Sequence, residues 1–394
     1  MGASASCERM LHVERAAGQG AIERLTPEWE VLEQNLRPRT PFTSPLWHAL
    51  WWKHFSADSV WVRDELFTHT VRNEFGSLIA VAPMMLTLRP AFGPLRVRAL
   101  QLLGADENVT ELRTVISRPE HMPEALASLS DYFLATANRW DWLQWGGIPA
   151  EGPSRELLAR GGRIQWGREV PNFYLALPES WAQFRSQLSR NMKEALRKCY
   201  NSLKRAGHEF TFRVVSRPDE AKAALETFFE LHAERAQDPT LPFHPNVFAR
   251  QAARDFLLDF GQRMAERGQL RVFQLEIGGE VVATRVGFVL GRDLYLYYSG
   301  FRVAWAKHSV MTTVVAEAIK WAIEHGLGGV DLSTGKDLSK LRWRPVEFVT
   351  VEGVQSSPRR LRQLAAGAYR QVAGHATPDS MLGRILSSAR RAKL

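Results

Sequence analysis

The segment between residues 270 and 345 constrains the fold of this chain more than any other. Its first two runs, 270–277 and 280–290, are rich in apolar and β-branched residues and are joined by Gly278–Gly279. A glycine pair between two such runs is typical of a tight hairpin turn, because both residues tolerate positive φ angles. A third run, 293–301, has the same character. The pattern predicts three consecutive antiparallel strands.

A helix and a returning strand follow these three strands. Apolar residues recur at helical spacing over 309–325, and Gly326 follows as a natural C-terminal cap. Residues 329–333 then have the composition of a short strand. A strand reached through a crossover helix runs parallel to the strand that the chain left. The segment therefore predicts a mixed α/β unit with one parallel strand pair.

The whole chain is long enough for two such units. It has 394 residues, 45% of them hydrophobic and 24% charged, which is ordinary for a globular protein of two domains. The first half repeats the rough order of strands and helices seen in the second, so we expect two similar α/β domains in tandem. The expected limits are a leader at 1–20, an N-terminal domain at 21–165, a C-terminal domain at 166–355 and a basic helical tail at 356–394.

Charge and cysteine content narrow the class of partner. The formal net charge of +9 favours anionic partners, namely nucleic acid, acidic lipid surfaces or phosphate-bearing cofactors. Two cysteines exclude a disulfide framework and a cysteine-rich zinc site. We see no signal peptide and no apolar stretch long enough to span a membrane. We expect a cytoplasmic protein. The basic tail is interpreted either as an exposed pair of helices or as a segment that contacts an acidic membrane or nucleic acid.

Several well-known catalytic motifs are missing. The sequence has no GxxxxGK[ST] phosphate loop, no GxGxxG after a strand, no HExxH and no GxSxG. Its histidines are scattered, without a pair at metal-ligand spacing. Covalent-nucleophile and zinc mechanisms are therefore disfavoured, and we predict no metal site.

The connection between the third strand and the helix is the candidate ligand site. A helix N-terminus exposes free N–H groups and a partial positive charge, so it attracts phosphate. Arg302, Lys307 and His308 crowd this approach, and Ser309 is placed to cap the helix. The alternative is an ordinary connecting loop with solvated basic residues.

A second basic feature precedes this block. Between Ser180 and Gly207, cationic residues alternate with apolar ones at helical spacing. The plainer interpretation is a helix with a solvated face. The functional one is contact with an anionic substrate such as a polysaccharide, a lipid-carrier phosphate or tRNA, which would be strongly salt-dependent.

The sequence of the strands, loop and helix in 270–345, together with the basic segment before them, resembles the GNAT superfamily of acyltransferases. More closely, it is similar to the branch of the CelD/BcsL cellulose-biosynthesis acetyltransferases, which is related to the Fem-type peptidyltransferases. The similarity covers roughly residues 25–350. The residues at positions that match the branch motifs are Tyr297, Tyr298, Ser309, Asp331, Gly335, Asp337, Lys340 and Trp343.

The resemblance implies direct acyl transfer from acyl-CoA to an amine or hydroxyl, with a glycan or envelope precursor as the suggested acceptor. Tyr297 or Tyr298 would donate to the leaving thiolate, but alternation along a strand predicts that only one of them faces the site. Asp331 would orient a group or accept a proton, and Lys340 would balance charge. The residues expected to contact the donor are Arg302, Lys307, His308, Ser309, Val310, Met311 and Thr312.

One departure from the family pattern leaves the donor open. The family has Pro-Gly where this chain has Val310 and Met311, and glycine lets the backbone approach a pyrophosphate closely. Either other N–H groups and Lys307 hold the pyrophosphate, or the donor is not an ordinary acyl-CoA. The alternatives are aminoacyl-tRNA, the donor of Fem-type relatives, and a non-catalytic GNAT module that binds an anionic polymer.

Overall fold

A computed structural model describes residues 11–18, 20–91, 96–106, 108–241, 243–364 and 367. The chain forms two compact units. The first comprises the described residues of Met1–Arg37, Phe42–Val170 and Val349–Leu394, and the second comprises those of Pro38–Pro41 and Pro171–Phe348.

The first unit is a mixed α/β structure. Its elements are β1 (His12–Arg15), α1 (Ala21–Gln34), α2 (Pro45–Phe55), β2 (Arg63–Leu66), β3 (His69–Arg72), β4 (Leu78–Ala82), β5 (Met84–Arg89), β6 (Val97–Leu102), β7 (Ile116–Ser117), α3 (Met122–Ala135), β8 (Trp142–Pro149) and α4 (Pro153–Arg160).

The second unit begins within strand β9, because the boundary between the two units lies between Val170 and Pro171. Its elements are β9 (Ile164–Ala176), α5 (Trp181–Gln187), α6 (Arg190–Arg205), β10 (Phe210–Val215), α7 (Pro218–Gln237), α8 (Gln251–Glu266), β11 (Leu270–Ile277), β12 (Glu280–Leu290), β13 (Asp293–Phe301), α9 (Val310–Glu324), β14 (Gly329–Thr334), α10 (Leu338–Leu341) and β15 (Val346–Ser356), which returns the chain to the first unit.

Each of the two units contains one parallel strand pair that is joined through a crossover helix. In the second unit the strand order is β10-β11-β12-β13-β14-β9, and β13 and β14 are a parallel pair joined through α9. In the first unit the order is β15-β8-β6-β5-β2, and β6 and β8 are a parallel pair joined through α3. The other strand pairs described within these two strand orders are antiparallel. This repeat confirms the predicted mixed α/β fold with two tandem domains of one type.

Helices cover both faces of the sheet in the second unit. Side chains of α5, α6 and α9 form one apolar core with alternate residues of β11, such as Phe273 and Leu275. On the other face, α7 packs against β12 and β13, and α8 packs against β11. Phe260 of α8 also meets Phe288 of β12 edge-on at 5.2 Å. Because both faces are covered, the strands are apolar almost throughout.

The basic segment predicted between Ser180 and Gly207 is helical but broken. Leu188 ends α5, and Ser189 caps α6 by accepting a hydrogen bond from the Met192 amide at 3.2 Å. Met192, Leu196, Cys199 and Leu203 are buried along one side of α6.

The N-terminal end of the chain differs from its predicted character, whereas the described part of the predicted tail is helical. The predicted leader, 1–20, contains β1, which pairs with β3, so this part is not loose; residues 1–10 and 19 lie outside the described residues. Of the predicted tail, 360–364 are helical, and Arg362 contacts the Asp141 carboxylate at 3.3 Å. Most of the tail, 368–394, also lies outside the described residues. Among the helices that are described, none has the length and hydrophobicity needed to cross a membrane.

Candidate active site

Strands β13 and β14 separate from each other near their carboxyl ends. Their parallel pairing covers only three positions, from Asp293 opposite Gly329 to Tyr295 opposite Asp331. Beyond this point β13 continues to Phe301 without pairing to β14. The two strands therefore leave an opening in the sheet, and the connection to α9 starts beside it. Ligands of open α/β sheets bind at such carboxyl ends, where backbone groups are left unpaired.

A β-bulge in β13 changes which residues face this opening. Arg285 pairs with Ser299 and Gly287 with Leu296, so Tyr297 and Tyr298 lie opposite the single residue Val286. The two tyrosine rings meet edge-on at 4.7 Å, and both contact Phe248. The prediction that they point to opposite faces is therefore wrong, because the bulge interrupts the alternation.

The two tyrosines differ in exposure. Tyr297 is 1% exposed and packs among aromatic side chains, including Phe288 at 6.0 Å. Tyr298 is only partly buried. Of the two, Tyr298 is therefore the one that a ligand can reach without rearrangement of the core.

The three predicted cations of the loop are not equivalent. Arg302 donates to Glu234 at 2.9 Å and to Glu280 at 3.0 Å, so its charge is compensated, and these contacts raise its pKa. His308 is buried, with Nδ1 2.7 Å from the Ser202 hydroxyl. Burial, together with the charge of Lys307, lowers the His308 pKa, which favours a neutral ring. Lys307 is exposed and forms no ion pair with any residue in the described ranges.

The first turn of α9 lacks the predicted cap. Ser309 has a left-handed backbone with φ of 55°, and its side chain makes no capping hydrogen bond. The prediction that Ser309 caps the helix is therefore wrong. A left-handed residue turns its hydroxyl away from the amides that a capping side chain reaches, since a cap normally has an extended backbone. The free amides of this turn remain available for an anion.

Core packing holds Val310 and Met311, and a hydrogen bond holds Thr312. Val310 is 1% exposed and belongs to the apolar core, and Met311 packs against that core. Thr312 accepts a hydrogen bond from Arg342 Nη2 at 2.6 Å. The side chains of Val310 and Met311 are thus part of the hydrophobic core, which accounts for the apolar residues at this turn.

The remaining predicted residues lie on β14 and just after it. Asp331 is fully buried, and its two oxygens accept from Asn172 Nδ2 and from the Ser333 amide, each at 2.8 Å. Lys340 Nζ donates to the Thr334 carbonyl at the end of β14. The structure thus places the Lys340 ammonium at the carboxyl end of β14, and Asp331 lies within that strand.

Sequence reasoning missed a polar cluster on the α7 side of the opening. His232 is fully buried, Arg235 is half-buried and donates to Ser299 Oγ at 3.3 Å, and the His244 ring lies 5.0 Å from that of His232. Burial lowers the pKa of His232 to about 4 and that of His244 to about 3, and Arg235 adds to both shifts. The available signal was the spacing of His232 and Arg235, since residues three apart share one helix face.

The part of the chain that the structure describes contains no group of three or more His, Cys, Asp or Glu side chains placed to hold a metal ion. The chemistry that this arrangement can supply is electrostatic. It combines free helix N–H groups, an unpaired lysine, a second ammonium at the strand end and a reachable phenol. Such groups stabilise anions and developing negative charge.

Comparison with known proteins identifies structures of similar fold. Residues 190–342 match the family model described as "Acetyltransferase (GNAT) domain". No curated protein matches the chain in sequence. Among solved structures, FemX is similar with a TM-score of 0.58 and 12% identity, over 89% of this chain and 99% of that one. The C-terminal domain of a putative lysylphosphatidylglycerol synthetase from Agrobacterium fabrum has a TM-score of 0.50 and 10% identity, over 89% and 96%. The chain therefore has a GNAT-type fold, and the residues that match the family model include strands β13 and β14, which flank the opening.

Proposed function

We propose that the protein is a cytoplasmic, CelD/BcsL-like acyltransferase that moves an acyl group from acyl-CoA to an amine or hydroxyl. The observation that carries the proposal is the opening between β13 and β14, with the first turn of α9 beside it and with Lys307, which has no ion-pair partner among the described residues. A thioester donor with a pyrophosphate needs both features. The strand edge holds its amide-bearing arm, and the helix N-terminus holds its phosphates.

The roles of the predicted donor residues follow from their surroundings. Lys307 supplies the charge, and the amides of Val310 and Met311 supply hydrogen bonds. A glycine is not needed for side-chain clearance here, because the side chains of both residues pack with the core. Arg302 and His308 act indirectly, since their polar groups already hold the loop to Glu234 and Ser202.

The reaction itself requires few groups. The nitrogen or oxygen of the acceptor attacks the thioester carbonyl and forms the new C–N or C–O bond. The C–S bond breaks, the acceptor loses one proton to solvent, and the departing thiolate is protonated to the free thiol. In this proposal the Lys340 ammonium stabilises the oxyanion, and the Tyr298 hydroxyl donates to the leaving sulfur. Asp331 positions the end of β14 through Asn172 and the Ser333 amide. A glycan or envelope precursor is the acceptor that the family resemblance suggests.

Thermal unfolding with acetyl-CoA and longer acyl-CoAs tests the donor. A ligand at a hundred times its Kd raises stability by about 2.7 kcal/mol, or roughly 5–10 °C for a unit of this size. We expect Lys307→Glu to weaken acetyl-CoA binding by about tenfold, because a charge-assisted contact to phosphate is lost. Lys222→Glu is the control, because it makes the same charge change at an exposed side chain of α7. Equal shifts in all three proteins would rule out Lys307 as a phosphate ligand.

One observation favours aminoacyl-tRNA as a second candidate donor. The cations of α6 at Arg190, Lys198, Lys204 and Arg205 are exposed along the whole helix. This helix is about 24 Å long at 1.5 Å per residue, which exceeds the reach of a single pyrophosphate. Under this alternative, mixed tRNA binds at roughly 50 mM salt, and binding falls steeply towards roughly 200 mM. Binding that is absent at low salt would remove the tRNA donor.

A further inference from the structure

His232 is held in place more firmly than packing alone requires. It lies on α7, and its Nδ1 is 2.9 Å from the carbonyl of Ser299 on β13. The next residue, Gly300, lets the helix backbone approach the strand. A Cβ at Gly300 would lie 2.4 Å from the His232 amide nitrogen and 2.5 Å from the carbonyl carbon of Leu231. The helix and the strand therefore fix both the position and the orientation of the imidazole.

This contact determines which ring nitrogen carries the proton. A carbonyl can only accept, so Nδ1 must be the donor. Burial keeps the ring neutral, which leaves Nε2 with a lone pair. Nε2 is buried and has no hydrogen-bond partner among the described residues. The Pro245 carbonyl raises the His232 pKa, but burial outweighs this effect and the ring stays neutral. An unsatisfied buried acceptor costs about 1–3 kcal/mol, so this atom requires an explanation, and a bound group that donates to it is one.

The surroundings of Nε2 favour a neutral donor group. The edge of the Tyr298 ring lies at 5.6 Å from the His232 ring, next to the opening described above. The nearby positive charges belong to Arg235 on α7, and to Arg285 on β12, which acts on His244. Asp337 partly offsets them at His244. A net positive field disfavours an ammonium ion and lowers the pKa of a bound amine, so it favours the neutral, nucleophilic form.

We propose that His232 Nε2 accepts a hydrogen bond from the N–H or O–H of the acyl acceptor and so positions the nucleophile beside Tyr298. This inference rests on the proposed acyl transfer and adds the acceptor side of its site. The acceptor class is a neutral amine or a hydroxyl. The nucleophile approaches from the α7 face, whereas the donor phosphates lie at the first turn of α9.

The His244 side chain must move before the acceptor can reach His232. Its ring rests against His232 and Tyr298, and its Nε2 has no hydrogen-bond partner. The preceding Phe243 is 92% exposed. Ring contacts are the contacts described for the His244 side chain, so in this proposal it moves aside without loss of a described hydrogen bond and gives the acceptor access to Nε2 of His232.

Two isosteric variants separate the functional role of Nε2 from the structural role of Nδ1. His232→Asn keeps a donor for the Ser299 carbonyl and removes the acceptor at Nε2. His232→Gln places an amide near Nε2 and loses the bond to Ser299. With acetyl-CoA and a panel of amines and sugars, we expect His232→Asn to lower kcat at least tenfold with unchanged acetyl-CoA affinity. His232→Gln should be less stable but more active than His232→Asn.

His48→Gln is the matched control. His48 is also a buried neutral histidine, with Nε2 2.9 Å from the Phe42 carbonyl and an unpartnered Nδ1. We expect this variant to lose stability and keep the wild-type kcat.

Nitrogen NMR should show His232 protonated at Nδ1 only. A fully active His232→Asn, or a proton on Nε2, would overturn the assignment. A wild-type protein that neither binds acetyl-CoA nor transfers acetyl would instead refute the proposed function, and with it this role.

Discussion

Lys340→Ala is expected to lower kcat by about a hundredfold while acetyl-CoA affinity changes less than threefold. The Lys340 ammonium is bonded to the Thr334 carbonyl at the carboxyl end of β14, and in the proposed reaction the thioester carbonyl lies beside this strand end. A preorganised donor to a developing oxyanion contributes about this much to the rate. Steady-state kinetics with acetyl-CoA, together with thermal shifts for binding, measure the two effects separately.

The neighbouring lysine provides a control for this prediction. Lys336 is exposed, and its ammonium lies 3.4 Å from Glu347. Lys336→Ala removes one positive charge from the same segment without touching the opening, so we expect it to retain full activity. If Lys340→Ala keeps the wild-type kcat, the charge-stabilising role of Lys340 is wrong.

Gly300→Ala is expected to destabilise the protein by about 3 kcal/mol or more, and to abolish transfer. A Cβ at this position meets backbone atoms of α7 at 2.4 and 2.5 Å, and neither side can relax by rotating a side chain. Overpacking against backbone moves whole elements, which places it at the costly end of core substitutions. Urea unfolding measures the loss of stability.

Gly167→Ala on β9 is the matched substitution. A Cβ there would have its nearest neighbour, the Glu352 carbonyl, at 3.9 Å, which is an ordinary contact. We expect a change within about 1 kcal/mol, of either sign. Similar losses for Gly300→Ala and Gly167→Ala would show that the close approach of α7 and β13 does not constrain the site.

The strands and helix between residues 270 and 334 were predictable because their signals are local. Gly278–Gly279 marks the hairpin, and the observed limits of β11, β12 and β13 coincide with the apolar runs. The crossover helix and its return strand also match within one residue. Turn chemistry and periodicity depend only on neighbouring residues, so they can be seen without tertiary contacts.

The site was less predictable, because its geometry depends on contacts between distant segments. The bulge that brings Tyr297 and Tyr298 to one side is a register shift against β12, and no periodicity in β13 reveals it. The Ser309 cap failed because the backbone there is left-handed, which serine rarely adopts. His232 resembled any histidine on an apolar helix face until the Ser299 carbonyl was found beside it.

Hydrogen exchange with and without acetyl-CoA tests the central claim most directly. If the donor binds at the opening between β13 and β14, the amides of residues 302–313 gain protection when acetyl-CoA is present, because phosphate oxygens accept from the free N–H groups of the first turn of α9. We expect this protection to fall in Lys307→Glu and to persist in Lys222→Glu. Unchanged exchange over 302–313 at a saturating acetyl-CoA concentration would contradict the account.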